Sequence, residues 1–103
     1  MGLTIIREVY HEERQSYKLD LALNGHYVIE LFSFANPPKR VSRPEATGLR
    51  HLAFAVKDLE KVVFELEQKG IATEAIRIDE FTGKRFTFLQ DPDALPIELY
   101  EHF

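Results

Sequence analysis

Strand-like runs and one helical stripe order the chain. Thr4 to Tyr10, Tyr17 to Leu23 and Tyr27 to Phe34 are rich in β-branched and aromatic residues and read as strands. Asn24-Gly25 joins the last two as a hairpin turn. Farther on, Leu49 to Val56 is almost continuously apolar and reads as a buried strand. Asp58 then stands at an N-cap position. Leu59, Val62, Val63 and Leu66 recur at helical spacing, predicting an amphipathic helix from Asp58 to Lys69 that ends at Gly70. Ala72 to Ile78, Arg85 to Gln90 and Pro96 to Tyr100 complete the pattern as three more strands, the last two joined by Asp91-Pro92-Asp93-Ala94.

Three prolines and no apolar period mark residues 35–47 as a connector. It divides a three-strand unit, 1–34, from a β-α-β-β-β unit, 48–103. The two halves are related. Ile29-Glu30-Leu31-Phe32 and Ile97-Glu98-Leu99-Tyr100 share a pattern, and the offset of 68 between Glu30 and Glu98 lays strands on strands and turns on turns. The counterparts of the Leu49–Val56 strand and of the helix would precede Met1. The first unit is thus expected to lack a leading strand and helix.

Composition narrows the function classes. Thirteen basic and seventeen acidic residues give a net charge of −4, which argues against a nucleic-acid partner. The absence of cysteine excludes a disulfide scaffold, a thiolate metal site and a cysteine nucleophile. No run approaches the ~18 apolar residues of a membrane span, and the N-terminus does not resemble a secretion signal. The expected setting is cytoplasmic, with no membrane partner.

Three polar groups interrupt otherwise apolar strands: Glu30, His51 and Glu98. An ionised carboxylate among apolar neighbours needs a cation or several hydrogen bonds. A divalent metal bound by Glu and His is one solution. Spacing alone also fits a plainer arrangement, with both glutamates facing solvent and His51 satisfied within the core. Lys18 and Asp20 share a strand face, and Arg85 lies on the strand equivalent by the repeat; these are weaker candidates for contact with an anionic substrate.

Gly48-Leu49-Arg50-His51-Leu52-Ala53-Phe54, Asp91-Pro92-Asp93 and Ile97-Glu98-Leu99-Tyr100 together resemble the second module of the vicinal oxygen chelate superfamily. Asn24-Gly25 followed by Ile29-Glu30-Leu31-Phe32 resembles the end of its first module. The nearest likeness is to the bacterial glyoxalase-I-like group, within a superfamily that also holds bleomycin resistance proteins and dioxygenases. The resemblance implies an α+β fold of paired βαβββ modules around a metal-bearing cup. Carried over by position, Glu30, His51 and Glu98 are implied metal ligands. The family's first-module histidine has no counterpart, since His11 and His26 lie in turn regions and His102 beyond the last strand. Where the family turn usually continues with Gly, this chain has Ala94, which is strained if positive φ is required.

The resemblance further implies a glyoxalase-like lyase or isomerase of the lactoylglutathione-lyase type. It would act on a small oxygenated or thiol-conjugated substrate through a metal-stabilised enediolate, with Glu98 as the base. The metal could be Ni, Zn, Mn, Co or Fe. A homodimer is expected, because relatives often build the site across two chains and a missing leading strand leaves open edges. The alternatives are a non-catalytic small-molecule-binding protein of the resistance type and a truncated inactive family member.

Overall fold

The computed structural model describes residues 2–102, which divide after Pro38 into two compact units. The first unit is an antiparallel sheet of β1 (Thr4–His11), β2 (Ser16–Leu23) and β3 (His26–Ser33), in that order. Asn24 and Gly25 both take positive φ (51° and 80°), as the tight β2–β3 hairpin turn requires. Register shifts interrupt both ladders, between Ile5 and Arg7 in β1 and between Leu21 and Ala22 in β2. In the second ladder Leu21 pairs with Ile29 and Ala22 with Tyr27, so Val28 is an extra residue on β3.

The second unit is α+β. It comprises β4 (Leu52–Val56), α1 (Leu59–Gln68), β5 (Arg77–Ile78), β6 (Arg85–Gln90) and β7 (Pro96–Glu101). The sheet order is β4-β7-β6-β5, with β4 parallel to β7 and the other pairs antiparallel. The Asp58 carboxylate caps α1 by accepting from the Lys61 amide at 3.1 Å. Gly70 (φ 75°) closes it: its amide donates to the Glu67 carbonyl, and the Ile71 amide donates to the Leu66 carbonyl.

The helix stripe does what its spacing predicts. Leu59, Leu66 and Leu99 form the buried core, with Phe54, Val56, Val62, Val63, Ile76 and Leu89 packed around them. Each fully buried leucine contributes about 1.5–3 kcal/mol of hydrophobic stabilisation. This core occupies one face of the sheet. By strand alternation the other face carries Ala53, Ala55, Phe86, Phe88, Glu98 and Tyr100.

Two elements are shorter than their sequence suggests. The strand expected from Leu49 begins at Leu52, which pairs with Ile97 near the start of β7; ahead of it, the carbonyls of Leu49 and Arg50 accept from the Arg40 guanidinium at 2.6 and 2.8 Å. The strand expected over 72–78 shrinks to Arg77–Ile78. Beside it, the Glu74 amide donates to the Phe88 carbonyl, but the Glu74 carbonyl accepts from the Thr87 hydroxyl instead of a ladder amide.

The internal repeat extends to strand register. Asp20 pairs with Glu30 and Phe88 with Glu98; Lys18 pairs with Phe32 and Phe86 with Tyr100; Leu19 pairs with Leu31 and Thr87 with Leu99. Every member of the second set lies 68 residues after its counterpart in the first.

Candidate functional site

In the second unit, His51 immediately precedes β4, and Glu98 lies on the neighbouring β7 opposite Ala53. His51 Nε2 stands 3.7 Å from Glu98 Oε1. The Glu98 side chain is only 16% exposed and that of His51 40%, so the carboxylate sits in the floor and the imidazole at its rim. No hydrogen bond reaches the Glu98 carboxylate among the described residues. The Phe88 ring meets the His51 ring edge-on, with centroids 5.2 Å apart. Phe86 continues the aromatic floor between Phe88 and Tyr100. The Arg77 guanidinium lies 5.0 Å above the Phe86 ring and 5.7 Å above Phe88.

An imidazole nitrogen and a carboxylate oxygen suit first-row divalent ions. Two such donors, each bound at about 2.0–2.2 Å, stand roughly 3–4 Å apart. The His51–Glu98 pair therefore fits as part of a metal site. Within either unit, among the described residues, no three His, Asp or Glu side chains gather as an ion-holding group.

In the first unit, the structure brings Lys18, Asp20 and Glu30 together. The Tyr27 hydroxyl stands 2.8 Å from Asp20 Oδ1 and 2.9 Å from Glu30 Oε1 and shares its one proton between them. The Lys18 ammonium lies 3.4 Å from each of the same two oxygens. Arg7 Nε donates to the other Asp20 oxygen at 2.9 Å. Asp20 is thus buried yet fully partnered, and the Tyr27 hydroxyl, ahead of Arg7 and Lys18, holds its carboxyl below the ordinary value. Burial and the two carboxylates push the Tyr27 phenol up, so it remains a donor across the physiological range. Lys18 and Asp20, considered above for an anionic substrate, belong here to a cluster of two cations, Arg7 and Lys18, and two carboxylates, Asp20 and Glu30.

Arg85 engages two carboxylates of its own unit. It stands on the helix-bearing face, where Nε donates to Glu101 at 2.8 Å and Nη1 to Glu60 at 2.6 Å. The Glu60 contact ties α1 to the sheet and the Glu101 contact joins β6 to β7, both on the side opposite Glu98.

Sequence reasoning missed Tyr27, Arg7 and Arg40. Strict alternation puts Tyr27 on the face opposite Glu30; the extra residue Val28 reverses that. Arg40 lies in the stretch read only as a connector, yet it fixes the two carbonyls just before His51, and Arg50 returns a bond to the Ser42 carbonyl at 3.0 Å.

Comparison with known proteins agrees in sequence and in fold. The family profile described as the glyoxalase/bleomycin resistance protein/dioxygenase superfamily matches residues 1–99. The YwkD protein of Bacillus subtilis is 67% identical over 98% of this chain and 79% of its own length. The YaeR protein of Escherichia coli is 61% identical over 98% of this chain and 78% of its own. The crystal structure of a glyoxalase family protein from Enterococcus faecalis matches with a TM-score of 0.90 and 48% identity, over 97% of this chain and 79% of that one.

Proposed function

Because the chain belongs to the glyoxalase/bleomycin resistance protein/dioxygenase superfamily, we propose that it is a divalent-metal-dependent lyase or isomerase of the glyoxalase type. Its substrate is a small oxygenated or thiol-conjugated molecule with adjacent oxygens. The observation that carries this reading is the His51–Glu98 pair, 3.7 Å apart on the open aromatic face.

A bound divalent ion would supply Lewis-acid polarisation of the adjacent substrate oxygens. The ligands are proposed unit by unit: His51 and Glu98 in the second, and Glu30 in the first. Glu98 removes the proton from the carbon next to the carbonyl and returns it to the neighbouring carbon. Its carboxylate suits that task because no hydrogen bond fixes it among the described residues. Phe86, Phe88 and Tyr100 flank it and exclude water from the carbon being deprotonated. Arg40 holds the backbone at the entry to His51, which keeps the imidazole beside Glu98.

The test is metal content after purification without chelator, followed by turnover of the hemithioacetal of methylglyoxal and a thiol. Glu98→Gln should keep the protein folded and abolish turnover. Full turnover by that variant would remove Glu98 as the base. A second reading, a binding protein without turnover, draws on the Phe86 and Phe88 rings beneath Arg77, which offer a small ligand an apolar wall beside a cation. Saturable ligand binding with no product would favour it.

Homodimerisation in a cytoplasmic setting is part of the same proposal. It is supported by the many apolar side chains exposed on the first sheet, among them Ile5, Tyr10, Leu31 and Phe32. A monomer mass by light scattering at micromolar concentration would overturn the dimer. No helix among the described residues is long and apolar enough to cross a membrane.

A further inference from the structure

We propose that Tyr27, anchored by Asp20, is a positioning residue that fixes the orientation of the Glu30 carboxylate. The inference rests on the reading of Glu30 as a metal ligand and deepens it.

The geometry is that of a clamp. Asp20 Oδ1 and Glu30 Oε1 share two partners, the Tyr27 phenol at 2.8 and 2.9 Å and the Lys18 ammonium at 3.4 Å from each. Asp20 is 1% exposed, and Arg7 engages its second oxygen at 2.9 Å, so it cannot turn away from the phenol without losing partners in a buried place. The Glu30 side chain is 48% exposed and would otherwise sample several rotamers. Both contacts to Glu30 go to Oε1. The clamp thus takes one oxygen and leaves Oε2 for a ligand. Outer partners that orient a ligating carboxylate in this way typically account for about 10–100-fold in metal affinity.

The repeat argues that the clamp is not there to make the sheet fold. The second unit has the same strand register, with Phe88 in place of Asp20 and Phe86 in place of Lys18. Leu95 and Ala75 stand at the offset positions of Tyr27 and Arg7. The β6–β7 ladder forms with phenylalanine at the two positions that lie within it, 86 and 88, so its register needs neither charge and the polar set in the first unit serves the glutamate. Such a set also requires a β-bulge at Val28 to bring Tyr27 onto the Glu30 face.

The experiment is a double-mutant cycle in Zn²⁺ affinity, measured by calorimetry on the full chain for the unmutated protein, Tyr27→Phe, Glu30→Gln and the double variant, with circular dichroism to confirm folding. Tyr27→Phe should weaken Zn²⁺ binding by about 10-fold. In the Glu30→Gln background it should cause no further loss. An unchanged affinity, or an equal loss in both backgrounds, overturns the positioning role. Absence of Zn²⁺ binding by the unmutated protein defeats the metal reading instead. The positioning role is then decided on metal-free protein by side-chain NMR couplings of Glu30. One fixed rotamer in the unmutated protein, averaged in Tyr27→Phe, supports it. Averaged couplings already present in the unmutated protein overturn it, whether or not the variant folds.

Discussion

His51 Nε2 and Glu98 Oε1 face each other at 3.7 Å, although 47 residues of chain separate them. They meet because β7 inserts beside β4 in parallel, with Ala53 opposite Glu98. His51→Ala removes an exposed ring from this pair and leaves the leucine core untouched. We expect divalent-metal affinity to fall more than about 100-fold while unfolding stability changes by less than about 0.5 kcal/mol. Parallel calorimetry and urea titration check both halves of this statement.

Arg40 spans the carbonyls of Leu49 and Arg50, so its effect is exerted on the residue that follows them. Arg40→Ala should destabilise the second unit by about 1–2 kcal/mol, since two charge-assisted hydrogen bonds are lost from a partly exposed place. Lysine should not fully rescue it, because Nη2 holds both carbonyls while Nε donates to Ser42 Oγ at 3.1 Å, and lysine has no second nitrogen to keep that anchor. The His51 ring resonances should broaden or shift in both variants.

Ala94 takes φ 68° in the turn before β7, a left-handed conformation that a Cβ disfavours. The turn nonetheless forms, because Asp91 Oδ1 accepts from the amides of Asp93 and Leu95, both at 2.8 Å. Ala94→Gly relieves the strain at a modest cost in chain entropy. A gain of about 1 kcal/mol is expected, measurable as a higher urea midpoint.

Asp79 is held below its ordinary value of 3.8, first by the Tyr100 hydroxyl, which donates at 2.7 Å, and then by the Phe81 amide. A carboxyl whose folded pKa is depressed stabilises the fold fully above its unfolded value. That contribution is lost as pH falls through the folded value. Tyr100→Phe should therefore leave the Phe81 contribution and flatten the decline in stability between about pH 5 and pH 2. Urea midpoints across that range test it; an unchanged acid slope would count against Tyr100 as the main cause.

Much of this protein was legible in its residues because periodicity reports directly on local geometry. The stripe Leu59, Val62, Val63, Leu66 gave the helix and its buried face, Asp58 and Gly70 its ends, and Asn24-Gly25 the hairpin. The repeat even specified which residues would pair, since a shared offset of 68 fixes a shared register. The Gly48–Phe54 and Ile97–Tyr100 segments pointed to the superfamily that the match over residues 1–99 shows. Tertiary structure decided what one-dimensional pattern cannot carry. A single extra residue, Val28, turns Tyr27 to the side of Glu30 and creates a polar clamp that alternation would forbid. Arg40 holds the carbonyls of Leu49 and Arg50 ahead of β4, and Arg85 turns to Glu60 and Glu101 on the helix side. In each case a long side chain chose among partners brought together from separate parts of its unit, and that choice depends on distance in space rather than on spacing along the chain.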